Sequence, residues 1–243
     1  MSDTQQHQLA DGSKVQISRN GRHQYWIGDD GTKMKSVTSM LKHIEGDTFG
    51  IGMNWALKLV RENNGDLNVP RQVSKESMDV GNRLHEAIDQ YIRNHVVNED
   101  DPLFLAWFNE VGEANDWLAS ELFLYNPLVE PNYGGTVDAI SMDKKAEVVI
   151  WDWKTKEKDS YEKYGGYLHE HAQLAAYTDA LRAMGSAYIP SKGRIAYIMR
   201  DGSYVDVVEV DLERGSKLFN ASRALYLLTR SDTARRDNDS GNS

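Results

Sequence analysis

EVVIWDWKT, residues 147–155, decides how the rest of this chain is read. It is rich in β-branched and aromatic residues, which suit a pleated, buried strand. Side chains on a strand alternate between faces. Val148, Ile150, Asp152 and Lys154 therefore share one face, and Val149, Trp151 and Trp153 share the other. A carboxylate and an amine thus stand two residues apart on an apolar strand, where charge is costly to bury unless it is used. Trp151 and Trp153 point away from that pair and are expected to pack beneath a helix rather than to stack on bases. An acid-x-lysine pair carries little information alone, since short motifs recur by chance. The chain has a second one, Asp143/Lys145, in the polar turn DKKA, where charges are simply solvated. Context, not the pair itself, separates the two.

Outward from this strand, GGTVDAISM (134–142) reads as its neighbour, joined to it by DKKA and preceded by a Pro/Asn/Gly turn. If the two strands pair, Asp138 lies beside Asp152. Two converging carboxylates supply the oxygen ligands that a hard dication prefers, with positions left for water and phosphate. A lysine beside them can orient or deprotonate a water, or stabilise charge in the transition state. ELFLYN (121–126) is a further strand, and GRIAYIMR (193–200) and SYVDVVEV (203–210) form a hairpin around Asp201-Gly202.

The remaining pattern is helical at both ends. A short hairpin over 13–20 and 23–28 is followed by helices near Val37–His43 and over 48–63, before ENNGDLNVP breaks the period. Ser74 can cap a helix running to about residue 95, with Val80, Leu84, Ile88, Tyr91 and Ile92 on its apolar side. Another helix fits 102–119, with Leu105, Phe108, Val111 and Trp117 inward. A helix over about 166–184 ends at Gly185, and Asp211 can cap a last one, 211–229. The division expected is one domain over 1–230: N-terminal hairpin and helices at about 13–119, a catalytic core at about 81–210 and the C-terminal helix. Residues 231–243, SDTARRDNDSGNS, are polar and expected to be a disordered tail.

Four weak motifs fall in order: Gly-x-x-x-His (Gly81, His85), Gly-x-x-Asp (Gly135, Asp138), Asp-x-Lys (Asp152, Lys154) and Gln-x-x-x-Tyr (Gln173, Tyr177). In this order, on elements of these types, they resemble the RecB-like branch of the PD-(D/E)xK nuclease superfamily. That branch includes phage exonucleases and the mitochondrial genome maintenance exonuclease. The resemblance implies an α/β fold: a mixed central β-sheet flanked by helices, with a restriction-endonuclease-like core ordered α-β-β-β-α-β. It implies that Asp138 and Asp152, with the backbone carbonyl of Trp153 and with His85, ligate Mg²⁺, for which Mn²⁺ can substitute. Lys154 would serve the nucleophilic water, Gln173 and Tyr177 would support that lysine and contact DNA, and Glu121 would be an auxiliary residue near a second metal position. Each has a plainer reading. His85 would be a half-buried structural histidine, and Gln173 and Tyr177 an ordinary helix face. His169 and His171, two apart on a helix, point in nearly opposite directions and are not expected to share an ion. The basic stretch Lys154–Lys158 and the pair Arg235–Arg236 read as solvated faces, though the first could line a DNA path.

Composition narrows the function. The formal net charge is -9, which excludes a protein that coats DNA by neutralising its phosphates. It leaves open a nuclease whose carboxylates hold cations. There is no cysteine, so disulfides, thiolate zinc sites and the iron–sulfur cluster of some members of the branch are excluded. No Walker-type loop is present. No apolar run approaches a membrane span, and MSDTQQHQLADGSK has no signal-peptide core, so a cytoplasmic protein is expected, in the host cytoplasm if the source is a phage. The resulting expectation is a Mg²⁺-dependent exonuclease acting on linear DNA with ends. A single-strand-annealing recombinase or a replication protein would be its protein partner. A structure-specific or flap endonuclease, and a non-catalytic nucleic-acid-binding module on the same fold, are the alternatives.

Overall fold

The computed structural model describes residues 3–9, 12–20, 24–28, 31–42, 44 and 51–239, excepting the side chains of residues 51 and 230–239. The chain opens on a small antiparallel sheet of β1 (Asp3–Gln8), β2 (Lys14–Arg19), β3 (Tyr25–Ile27) and β4 (Thr32–Lys33), in that order. β2 and β3 are the expected hairpin. Its residue 23 lies outside the described residues, as do the ends of two expected helices, at residues 43 and 48–50. β5 (Lys35–Ser36) leaves for the main sheet and leads into α1 (Val37–Leu41), where the Ser36 hydroxyl accepts the Ser39 N–H.

α2 (Ile51–Glu62) and α3 (Val69–Asn94) follow. α3 begins at Val69, not after Ser74 as expected. Pro70 sits in its first turn, where the N–H that proline lacks would have no helical partner anyway. Ser74 is internal, and its hydroxyl donates to the Pro70 carbonyl at 2.8 Å. The expected helix over 102–119 is also shorter. α4 (Pro102–Trp107) passes into one π-helical turn, Phe108–Gly112, and the chain is already a strand, β6 (Asp116–Asn126), by Trp117. The reason is tertiary. The Trp117 indole N–H donates to the Gly112 carbonyl, and its ring lies 5.7 Å from that of Trp107 and 5.9 Å from that of Trp153. Trp117 thus reaches the same apolar cluster from a strand that it would have reached from a helix.

β7 (Tyr133–Met142) and β8 (Val148–Lys156) lie where the alternation places them. α5 (Lys158–Tyr164) has no buried residue, so no apolar stripe announces it. α6 (Leu168–Met184) ends at Gly185 in the left-handed conformation. β9 (Lys192–Met199) and β10 (Val205–Val210) form the expected hairpin. α7 (Leu212–Asp239) opens with Asp211 accepting the Arg214 N–H and runs past residue 229, where its end was expected; residues 240–243 lie outside the described residues.

The main sheet has the order β10-β9-β8-β7-β5, with β6 on the other edge of β7. β8 pairs β9 in parallel and β7 in antiparallel, so the sheet is mixed. Val137, Ile140 and Ile150 cluster with residues of α6 and α7. Trp151 and Trp153 cluster with Leu84 and Ile88 of α3 and Phe104 and Trp107 of α4. The fold is therefore α/β, with a mixed sheet flanked by helices, as the sequence implies. The tryptophans do pack under helices. Each removes on the order of 150–250 Å² from water, a large share of what holds α3 to the sheet.

One feature of the sheet makes the site possible. β7 pairs β8 only over Ala139–Met142 and pairs β5 only at Tyr133 and Gly134. β6 occupies the opposite edge. Over residues 135–138 the β8-side edge of β7 has no strand partner among the described residues, and the sheet splits there.

Candidate active site

The split falls on acidic residues. The register pairing Ile140 with Ile150 and Ala139 with Trp151 sets Asp138 across from Asp152 when carried one step further. On the other edge, Ser120 pairs with Ala139 and Leu122 with Val137, which sets Glu121 across from Asp138. Glu121, Asp138 and Asp152 thus form one row across β6, β7 and β8. In place of a ladder bond at the split, the Trp153 N–H donates to Asp138 Oδ2 at 2.7 Å.

α3 delivers the fourth group. Gly81 lies one turn before His85, and a Cβ at Gly81 would stand 3.7 Å from Thr155 Oγ1, so the helix runs close over the end of β8. His85 Nε2 is 3.1 Å from the Trp153 carbonyl oxygen. A carbonyl only accepts, so Nε2 carries the proton in this contact and Nδ1 is a bare lone pair. Nδ1 lies 3.6 Å from Asp138 Oδ1 and 4.0 Å from Glu121 Oε1. Burial, then the nearby Lys154 charge, lowers the His85 pKa and keeps the ring neutral.

Three lone-pair donors facing one another repel unless a cation lies among them. One donor atom each from His85, Glu121 and Asp138 lies within 4.8 Å of the others, a spacing that fits a metal ion. Burial and the Asp152 charge push the Asp138 carboxyl well above the ordinary carboxylate range, against the pull of Lys154. The orphaned oxygen of the site belongs to Asp152. Asp152 Oδ2 is buried, and its polar neighbour is the Lys154 ammonium, with Nζ at 2.6 Å as an ion pair. Burial would lower the Lys154 pKa, but Asp152 and Asp138 hold it above the ordinary value. Nitrogen and carboxylate donors with a spare buried oxygen fit a divalent cation.

Gln173 and Tyr177 meet on α6, where the Gln173 amide donates to the Tyr177 hydroxyl at 3.2 Å. Tyr177 packs on Gly135: a Cβ there would fall 2.4 Å from Tyr177 Cε1. The glycine and the tyrosine of two separate motifs are therefore one contact, made where the sheet splits. The decoy pair behaves as a turn. Asp143 Oδ1 accepts the N–H groups of Lys145 and Glu147, and Lys145 is exposed.

Sequence reasoning missed a second charged cluster on the same face of β8. Lys156 was read within a solvated stretch, yet its Nζ is 2.7 Å from Glu170 Oε1 and 4.2 Å from the centre of the Tyr167 ring. Glu170 is buried and also accepts from the Tyr197 hydroxyl and the Tyr167 N–H, each at 2.8 Å. Burial raises its pKa, but Lys156, Lys154 and the Tyr167 amide together bring it below the ordinary 4.5. The signal was present: residues 150, 152, 154 and 156 continue one period-two face. His169 stacks on Tyr167 at 5.5 Å, a role of its own rather than half of a metal pair.

The mixed sheet thus splits over clustered acids, with an Asp-x-Lys strand at its centre. Residues 105–214 match the family model described as PD-(D/E)XK nuclease superfamily. No curated protein matches the chain. Among solved structures, the chain is similar to one described as the crystal structure of SSO0001, with 17% identity, a TM-score of 0.42, and coverage of 78% of this chain and 75% of that one. It is also similar to the crystal structure of LHK-Exo in complex with dAMP, with 10% identity, a TM-score of 0.44, and coverage of 86% and 93%.

Proposed function

We propose that this protein is a divalent-metal-dependent deoxyribonuclease of the RecB-like type that works as an exonuclease from DNA ends, in recombination, repair or replication. The observation that carries the metal dependence is the facing of the bare His85 Nδ1 toward the Asp138 and Glu121 carboxylates. Asp138, Asp152, His85 and Glu121 would hold the ion, Mg²⁺ or Mn²⁺, with the Trp153 carbonyl at the margin of the set. A bound dication would neutralise charge building on the phosphate and favour ionisation of water near neutral pH. Lys154 remains protonated beside Asp152, where its ammonium would donate to the attacking water or to a phosphate oxygen. Tyr177, its hydroxyl engaged by Gln173, closes the wall of the site beside Gly135. The ordered motifs support the branch, and the carboxylate row supports catalysis over a binding-only role, since a binding module gains nothing from burying acids together. An annealing recombinase or a replication protein is the partner such an enzyme would hand its product to.

The test is digestion of end-labelled linear, nicked and covalently closed circular DNA with Mg²⁺, with and without chelator. Linear DNA should be degraded and closed circles spared, and chelator should stop the reaction. Rapid linearisation of closed circles would make the protein an endonuclease. Cleavage undiminished in excess chelator would remove the metal, and no cleavage with any divalent ion would leave the binding module.

A further inference from the structure

Glu121 is the one member of the acidic row with an unusual backbone. Its φ is 48°, in the left-handed region that a residue bearing a Cβ rarely occupies. Such a conformation persists only where its surroundings hold it. The holding groups come from the N-terminal sheet, more than a hundred residues earlier in the chain. The Gln5 side-chain amide donates to the Glu121 carbonyl at 2.7 Å, and its oxygen accepts the Phe123 N–H at 2.8 Å. A single glutamine side chain thus bonds the outer edge of β6 on both sides of Leu122, as a neighbouring strand would. Arg19 holds the carboxylate itself. Its guanidinium donates to Glu121 Oε2 at 3.0 Å and to Thr136 Oγ1 at 3.3 Å, over the Phe123 ring at 4.8 Å. Asp3 supports the guanidinium from the far side at 3.3 Å. The other carboxylate oxygen, Oε1, is left facing His85. The Tyr25 hydroxyl, 2.9 Å from the same Thr136 oxygen, fastens the small sheet to the open segment of β7.

We propose that Gln5 and Arg19 are positioning residues for the metal site: they fix Glu121 in its left-handed conformation and present Oε1, and only Oε1, to the cation. This rests on the metal-dependent reading above. Two effects of Arg19 oppose each other. Its positive charge disfavours a dication nearby, whereas its fork orders a ligand. Groups that orient metal ligands typically change affinity about 10- to 100-fold when removed, and Arg19 already spends its charge on two carboxylates, so ordering should win. Gln5 is neutral and isolates the ordering effect.

The experiment is calorimetric titration of the full chain with Mn²⁺, alongside thermal melting. Gln5→Ala and Arg19→Met should each weaken Mn²⁺ binding by about tenfold. Arg19→Lys, which keeps the charge and loses the fork, should fall between Arg19→Met and wild type. In a Glu121→Gln background, Gln5→Ala should change Mn²⁺ affinity no further, because the residue acts through Glu121; a purely structural role would persist there. Should Arg19→Met fail to fold, Gln5→Ala carries the test. Wild-type or tighter Mn²⁺ affinity in folded Gln5→Ala, or an equal further loss in the Glu121→Gln background, would overturn the proposal while leaving the metal reading intact. Absence of Mn²⁺ binding by the wild type would overturn both.

Discussion

Replacing Lys154 with methionine keeps the aliphatic stem and removes the cation paired with Asp152. Asp152 is 2% exposed and Lys154 25% exposed, so the change leaves an almost fully buried carboxylate without its ion-pair neighbour. Breaking a fully buried pair from one side costs about 3–5 kcal/mol. The partial exposure of the lysine places this case at the low end, about 3 kcal/mol. For a protein of this size each kcal/mol lowers Tm by about 2–4 °C, so Lys154→Met in chelator should melt about 6–12 °C below wild type. A divalent cation takes over part of the lost charge, so Ca²⁺ should raise the Tm of the variant more than that of the wild type. Catalysis should not return with stability. Single-turnover hydrolysis of end-labelled DNA should fall at least about a thousandfold, roughly 4 kcal/mol of transition-state stabilisation. Lys145→Ala, in the exposed turn, should stay within about twofold of wild type. Equal losses in the two variants, or an active Lys154→Met, would refute the assignment of the site. Unaltered melting in chelator would refute the buried ion pair on which the magnitude rests.

His85→Ala should raise the Mn²⁺ concentration for half-maximal rate by about 10- to 100-fold; a lowered Tm with an unchanged metal titration would instead make His85 a core histidine. Gly135→Ala should cost about 1–3 kcal/mol in urea unfolding, because its Cβ meets the Tyr177 ring at 2.4 Å, and wild-type stability would show that the two do not pack closely. Glu170 has a folded pKa below 4.5, so its charged form contributes stability that is present above 4.5 and lost as pH falls through the folded value. The stability difference between wild type and Glu170→Gln should therefore narrow on going from about pH 7 to about pH 3, and a difference that is flat with pH would exclude the ion pair with Lys156 as its source.

The sequence showed best what local periodicity encodes. β7, β8 and the β9–β10 hairpin are legible because apolar alternation and turn residues mark them. The meeting of Asp138 with Asp152 follows once those strands pair. Trp117 was misplaced because its inward direction is shared by a helix and a strand, and ring packing chose the strand. β1 carries no apolar face, so Gln5 was invisible. Its meaning lies in the edge of β6, a hundred residues away. Arg19 and Lys156 look like any surface cation until the carboxylate each one faces is known. The split of the sheet was illegible for the same reason: it arises from where β5 ends and where β8 parts from β7, not from any residue between them.

That split has a consequence for what could be inherited or transplanted as a unit. The segment bearing the recognisable pattern is residues 105–214. It contains Glu121, Asp138, Asp152 and Lys154 and lacks His85 and β5. Grafted alone onto another scaffold, it would bring most of the acidic row without its imidazole, and with Tyr133 and Gly134 unpaired on the edge that β5 covers. A lineage that borrowed this segment would have to reinvent a helix and a short parallel strand before the borrowed acids could work.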